Sequence, residues 1–280
     1  MSRPTFSIVT PSFRNSKWLK LCIASVADQG VSLEHIVQDA VSDDGTLDWL
    51  PQDMRVKAYI EKDKGMYDAV NRGFGRSQGE ILAYINCDEQ YLPGALQKVE
   101  KFFTENPDVD MVFGDVVIVN ADGAFNCFRK VQIPWYHHTW VCSNLCTFTA
   151  ATFMRRKVVE ELHLTFDTKW RDLGDAEWML RVIRKGIRME MLKDYTSSFT
   201  ETGANMNMLP NAIREKKEFL DAAPAWARKI APVLRAAHRA RRLLQGAYSQ
   251  SPFDYRIFTL NSPSERALFR VQSPTSRWVR

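Results

Sequence analysis

The feature that most limits what this chain can fold into is a rhythm in its first hundred residues, where short apolar runs alternate with segments of helical periodicity. Residues 6–10 read as a buried strand; Trp18, Leu21, Cys22, Ser25 and Val26 then recur at helical spacing; residues 35–38 are a second strand. Residues 56–60 and 81–85 continue the strand series, with 66–75 and 92–103 as the intervening helices. Strand, helix, strand in this order implies an α/β fold with a mainly parallel sheet and helices on both faces. In such sheets ligands sit at the carboxyl ends of the strands.

After Asp110 the pattern changes. Residues 111–119 and 125–131 flank Asn120-Ala121-Asp122-Gly123, whose turn chemistry calls for a hairpin. An aromatic loop is expected over 134–146, then a strand over 148–154, a helix over 174–185 and a strand over 188–192. From Pro210 the chain reads as helical and basic to about Tyr248, interrupted at Pro224 and Pro232, with short strands and turns after Pro252. The expected division is one α/β domain over 1–209, changing character near 110, and a basic helical C-terminal extension over 210–280.

Hydrophobic residues at 45% and charged residues at 25% are ordinary globular usage, which argues against disorder. Five cysteines without framework spacing favour a reducing compartment, and no leader pattern or spanning run is evident, so a cytoplasmic protein is expected. Charge is uneven: from Asn211 onward Lys and Arg number 14 against 5 Asp and Glu, net +9, which leaves −4 before it. An acidic body without a recognised motif argues against nucleic-acid binding.

The chemistry-bearing residues gather where strands end. Thr10-Pro11-Ser12-Phe13-Arg14 follows the first strand and Asp39-Ala40-Val41-Ser42-Asp43-Asp44-Gly45-Thr46 the second. Such loops grip a base and ribose through carboxylates and backbone groups; the plainer reading of the second is a turn into a helix capped by Asp44 or Thr46. After the third strand, Asp63 and Asp68 flank Lys64, Gly65 and Tyr67, and Asn71 shares a helix face with Asp68. A capped, solvated helix is the alternative there. Asn86-Cys87-Asp88-Glu89 ends the fourth strand, and adjacent carboxylates at an open strand end suit Mg2+ or Mn2+ completed by phosphate oxygens.

Taken in order and with a later Asp175-Ala176-Glu177-Trp178-Met179-Leu180-Arg181, these motifs resemble the family 2 glycosyltransferases of the GT-A fold over about residues 5–205. The resemblance implies that Thr10, Pro11, Asp39 and Asp63 contact the nucleotide, with Ser12, Arg14, Asp43, Lys64, Gly65, Tyr67, Asp68, Asn71, Asn86 and Cys87 around them. It implies that Asp88 is the last acid of the Asp-x-Asp metal motif, Glu89 a possible second ligand, and Asp175 the base of an inverting reaction. Two departures stand out: Asn86 replaces the first Asp, and Thr149-Ala150-Ala151-Thr152-Phe153 lacks a preceding His that relatives often carry.

Residue by residue, Asp175 reads equally as a helix cap or as a base whose pKa is raised by crowding among Asp172, Glu177, Trp170 and Trp178. Trp135, Tyr136 and Trp140, with Glu177 and Trp178, offer an acceptor platform or plain packing. His137, His138, Cys142 and Cys146 lack the spacing of a structural zinc site. Arg228, Lys229, Arg235, Arg239, Arg241 and Arg242 among Ile230, Val233, Leu234, Leu243 and Leu244 form a basic amphipathic stretch, suited to an anionic membrane surface, to packing on the domain or to an oligomer contact.

The expected function is therefore a metal-dependent, inverting transfer from a nucleotide-diphosphate sugar, UDP-sugar favoured, to a saccharide or lipid-linked acceptor in surface polysaccharide or glycolipid synthesis, in the cytoplasm or at the inner face of the cell membrane. A catalytically silent nucleotide-sugar-binding or scaffolding protein is the alternative that Asn86 motivates. A nucleotidyltransferase would want a Gly-rich basic loop that residues 10–14 do not supply.

Overall fold

A computed structural model describes residues 3–142, 145–203 and 210–279. Strands β1 (Phe6–Ser12), β2 (Leu33–Asp39), β3 (Lys57–Ile60) and β4 (Ile81–Tyr84) lie parallel in the order β3-β2-β1-β4. Their side chains alternate across the sheet, so Phe6, Ile8, Ile81 and Ala83 enter one core while Val9, Leu82 and Tyr84 enter the other. Helices α1 (Ser16–Ala27) and α3 (Ala95–Glu105) close the first core with Cys22, Val26, Leu96 and Phe103. Helix α2 (Met66–Arg76) closes the second with Tyr67, Val70 and Phe74.

The remaining strands make the sheet mixed. They are β5 (Glu89–Tyr91), β6 (Met111–Asn120), β7 (Phe125–Arg129), β8 (Thr152–Arg155) and β9 (Met189–Glu201), interspersed with α4 (Tyr136–Cys142) and α5 (Gly174–Arg184). The sheet runs β3-β2-β1-β4-β8-β6-β9-β5, with β7 on β6; β8 is antiparallel to both neighbours and β9 is parallel to β6. The expected hairpin is present, turning through Gly123 at φ 90°.

Three expectations need correction. The strand over 148–154 begins only at Thr152, because residues 149–151 form a 3-10 turn. The strand over 188–192 runs on to Glu201: Thr196, Ser197 and Ser198 are small, polar and fully buried, and pairing with β6 and β5 rather than hydrophobicity makes them a strand. The aromatic loop contains helix α4, started by the Thr139 N–H donating to the Trp135 carbonyl at 2.8 Å and packed on α5.

The C-terminal segment breaks near the expected prolines into α6 (Pro210–Asp221), α7 (Ala225–Lys229) and α8 (Ala231–Leu244). Helix ends at Leu244, and the short strands expected after Pro252 are a hairpin of β10 (Phe253–Thr259) and β11 (Ser262–Val271) that returns to the sheet. The Gln90 amide exchanges two hydrogen bonds with the Phe258 backbone at 2.8 and 2.9 Å, and Arg266 forks onto Asp28 at 2.6 and 2.7 Å. Tyr255, Ile257 and Val271 share a core with Leu92, Val117 and Val119. Among the described residues no helix is long and apolar enough to cross a membrane.

Candidate active site

Because β1 to β4 run parallel, the loops after them open on one edge. Asp39 ends β2 fully buried, accepting hydrogen bonds from Ser12 Oγ (2.7 Å), Ser42 N–H (2.8 Å) and Ser42 Oγ (2.8 Å). Thr10 Oγ1 pairs with His35 Nε2 at 2.9 Å, and the Cys87 thiol donates to the Pro11 carbonyl at 3.3 Å. Thr10, Asp39 and Cys87, expected at the nucleotide, have side chains that hydrogen-bond within and between the strand-end loops. The groups left open are Phe13, Arg14, Val41 and Asp43. Arg14 (φ 51°) and Val41 (φ 66°) hold left-handed backbone without being glycine, a strain that a functional loop commonly stores. Arg14 forks onto Asp43 at 2.5 and 2.7 Å, which keeps the Asp43 carboxyl below its usual range. Asp44 takes the plainer role, accepting from Ser16 N–H and Thr46 Oγ1.

The third loop enters α2 through Gly65 at φ 127°, a conformation L side chains rarely adopt. Asp63 accepts the Gly65 N–H at 2.9 Å, and Asp68 accepts the Lys64 N–H at 3.0 Å while pairing with Arg72 at 2.8 Å. Burial pushes the Asp63 carboxyl up, and the charges of Asp68 and Asp39 add to it. Tyr67 and Asn71 point elsewhere. The Asn71 amide is clamped on both sides of the Phe166 backbone at 2.8 and 2.9 Å. Tyr67 is buried, stacked on Phe166 with centroids 5.0 Å apart, and its hydroxyl accepts the Asp175 N–H at 3.1 Å. Both therefore support the Asp175 region rather than the nucleotide loop.

At the end of β4, Asp88 is half-buried, its carboxyl raised by burial and then by the charge of Glu201. Among the described residues no Lys, Arg or His forms an ion pair with it. Glu89 does not join it at the surface: it lies on β5, buried, with Oε2 accepting the Asn86 N–H at 2.9 Å, and burial followed by repulsion from Asp88 pushes it up to about 8. Among the described residues no three His, Cys, Asp or Glu group to hold a metal by themselves. An uncompensated carboxylate at a strand end fits a hard cation that takes one or two protein oxygens and completes its shell with phosphate.

Asp175 sits in the first turn of α5, over a pocket lined by Tyr84, Thr147, Thr149, Phe166 and Trp178 with about 10 Å³ of free space, room for one water. Burial pushes its carboxyl up to about 6 against the opposing Ala176 N–H, which donates to Oδ1 at 2.7 Å. Of the crowding expected from the sequence, Trp178 does line this pocket, but the neighbouring carboxylates are not the cause, because Asp172 turns to the Asn211 amide and Glu177 pairs with Arg181 at 2.8 Å. Tyr84, the last residue of β4, lines the same pocket as Asp175, which sets that carboxyl beside the strand that leads into Asp88.

Of the two readings left open for the aromatic residues, the contacts within the fold are those of packing. Trp178 is buried, its indole N–H donating to the Leu164 carbonyl at 2.6 Å, and it serves as pocket wall. Trp140 donates to the Phe219 carbonyl at 2.9 Å, and the Arg184 guanidinium lies over both it and Tyr136. Trp135 is exposed, yet under Arg241, 4.5 Å from its ring centre. Tyr136, Trp140 and Trp178 thus pack within the fold, while Trp135 remains exposed.

One supporting residue left no trace in the linear pattern. Glu215 of α6, buried, accepts the N–H groups of Arg171 (2.9 Å), Asp172 (2.9 Å) and Leu173 (3.0 Å) and so fixes the backbone that leads into Asp175. Gly174 beside it has no room for a side chain: a Cβ would come within 2.5 Å of the Tyr67 ring. Gly174→Ala is expected to lower stability by about 1–3 kcal/mol and to reduce kcat by displacing Tyr67 from Asp175. A melting curve and a turnover assay check this, and a wild-type value in both means that the ring has slack.

This open sheet with acidic loops along one edge and helices on both faces is the GT-A architecture of sugar-transferring enzymes. Residues 7–162, more than half of the chain, match the model of Glycosyl transferase family 2. A "PGL/p-HBAD biosynthesis glycosyltransferase" of Mycobacterium tuberculosis is 27% identical over 236 residues, 80% of this chain and 86% of that protein. The "Putative teichuronic acid biosynthesis glycosyltransferase TuaG" of Bacillus subtilis is 32% identical over 109 residues, 37% and 43% of the two chains. Among solved structures, S. aureus TarS 1-349 in complex with UDP-GlcNAc covers 96% of this chain and 99% of its own at 14% identity and TM-score 0.61, and the mannosyltransferase PcManGT from Pyrobaculum calidifontis with GDP-Man and Mn2+ covers 88% and 80% at 17% and 0.54; at such identities they show the fold. The chain belongs to glycosyl transferase family 2 and is a glycosyltransferase.

Proposed function

We propose that the enzyme transfers a sugar, with inversion, from a nucleotide-diphosphate donor to a saccharide or lipid-linked acceptor in the cytoplasm, in polysaccharide or glycolipid synthesis. The observation that carries this reading is that Asp63 and Asp88 follow the parallel strands β3 and β4 while Asp175 lines a pocket with Tyr84 of β4, each carboxyl raised by burial. The names of the mycobacterial and Bacillus relatives support the product class, and the UDP-GlcNAc held by the staphylococcal structure supports UDP-sugar as donor.

In this reading the nucleotide lies across the loops after β1, β2 and β3, with Arg14, Asp43, Asp63 and Lys64 at hand. Asp88 would hold Mn2+ or Mg2+ against the diphosphate. When bound, the ion supplies charge neutralisation for the leaving group. Asp175 takes the proton of the acceptor hydroxyl; the oxygen forms its bond to the anomeric carbon as the bond to the diphosphate oxygen breaks, and a nucleoside diphosphate departs. A carboxylate with a pKa of about 6 suits that proton transfer at neutral pH.

Thermal-shift measurements with UDP-, GDP- and dTDP-sugars, with and without Mn2+, test the reading. One donor together with Mn2+ should raise the Tm of the wild type, by the equivalent of about 2.7 kcal/mol at roughly a hundredfold excess over Kd, and shift Asp88→Asn far less. A wild type indifferent to every nucleotide sugar would sink the proposal.

A further inference from the structure

A surface helix ordinarily turns its apolar stripe inward and its charges outward. Helix α8 follows this only in part: Ala231 and Leu234 pack on Val141, Ala223 and Ala227, while a second apolar line faces outward. Its inward face buries Ala231, His238 and Arg242; the His238 ring stacks on His138 of α4 with centroids 3.9 Å apart, and Arg241 is bonded to the Gln132 side chain and the Ile133 carbonyl. Its outward face carries Val233, Ala237, Ala240 and Leu244 at i, i+4, i+7 and i+11, with Leu243 beside them. Val233, Leu243 and Leu244 are 66%, 68% and 87% exposed, and the alanines between them are exposed as well. Ile230, also exposed, extends the line toward α7.

Helix propensity does not require leucine or valine at these positions, and nothing inside the fold uses them. Such a line of apolar side chains has to be covered by something. Its rim indicates what. Arg235 and Arg239 stand exposed along one flank, and Lys229 with Arg228, the latter paired with Asp221 at 3.7 Å, is exposed at the end of α7. Two copies docked face to face would bring these same cations into one interface, which like-charge repulsion opposes. An interface of acyl chains beneath anionic phosphates satisfies both halves, since the apolar side chains enter the acyl boundary while guanidinium and ammonium groups meet phosphate oxygens.

We infer that the outward face of α8 docks the protein on an anionic lipid surface. The helix lies flat on that surface, held by Val233, Leu243 and Leu244 and steered by Arg235 and Arg239. The test is co-sedimentation of the full chain with vesicles of phosphatidylcholine plus phosphatidylglycerol and with vesicles of phosphatidylcholine alone. Wild type should sediment with the anionic vesicles, less so at raised salt. Leu243→Glu combined with Leu244→Glu should lower the partition coefficient about tenfold or more, and Arg235→Gln with Arg239→Gln should lower it roughly fivefold per arginine on anionic vesicles only. All four side chains are exposed, so unchanged melting curves show that the variants fold. The inference is overturned if wild type stays in solution with anionic vesicles, or if the leucine pair proves dispensable for sedimentation. It is equally overturned by a dimer that the leucine variant dissolves in the absence of any vesicle binding, because the face then belongs to a second copy. Vesicle binding is read without sugar transfer, so a failure here leaves the transferase reading intact.

Discussion

Asp175→Asn is expected to lower kcat by about 100- to 10,000-fold while leaving the donor-induced rise in Tm as it is in the wild type. The asparagine keeps the shape and an oxygen for the Ala176 N–H but cannot take a proton. The pH profile follows from the direction of the shift. A base works when ionised, and burial has moved the Asp175 carboxyl up to about 6, so kcat/KM should rise roughly tenfold per pH unit below that value and level off above it. Stability runs the other way: a carboxyl with a raised folded pKa favours the fold fully below its unfolded pKa and loses that contribution as pH rises through about 6. At neutral pH and above, Asp175→Asn should therefore be more stable than wild type, by about 1–3 kcal/mol. Turnover near the wild-type rate in this variant would remove Asp175 as the base.

Glu215→Ala is expected to be the most destabilising single change near the site, by about 3–5 kcal/mol, as three backbone donors are orphaned at about 1–3 kcal/mol each and water entering the gap relieves part of the loss. For a chain of this size that is a fall of roughly 10 °C in Tm. Burial alone would raise the Glu215 carboxyl, but the N–H groups of Arg171, Asp172 and Leu173, with the Asn211 amide, outweigh it and hold it below the usual range. The sign follows: its contribution is present above its unfolded pKa of about 4.3 and is lost as pH falls through the folded value. Glu215→Gln, which keeps an acceptor oxygen, should melt between Glu215→Ala and wild type and show a flatter loss of stability in acid. Calorimetry across pH checks both, and a Glu215→Ala melt within a degree or two of wild type means that another group holds residues 171–173.

Much of the fold was legible because it is local. Val9, Leu82 and Tyr84 alternate with Ile8, Ile81 and Ala83 at a period of two, and the glycines and carboxylates that mark strand ends sit next to the runs they terminate. What escaped was structure created by partners distant in sequence. Thr196, Ser197 and Ser198 are strand only because β5 and β6 pair with them, and residues 136–142 are helical in a setting of packed neighbours that their own composition does not announce.

The site divides along the same line. Sequence by itself determined which chemical groups exist and where they fall along the chain: a carboxylate at the end of each of several strands, Asp88 after β4, and Asp175 opening a helix, because strand ends and helix starts are written in nearest-neighbour pattern. Only the tertiary structure decided what each group faces. It turned Tyr67, Asn71 and Glu215 into supports of the Asp175 region, buried Glu89 beneath Asp88, used Trp140 as packing and left the leucines of α8 in solvent. Burial and hydrogen-bond partners depend on residues tens of positions away, and it is those, rather than residue type, that set a carboxyl's proton affinity and a side chain's freedom to meet a ligand.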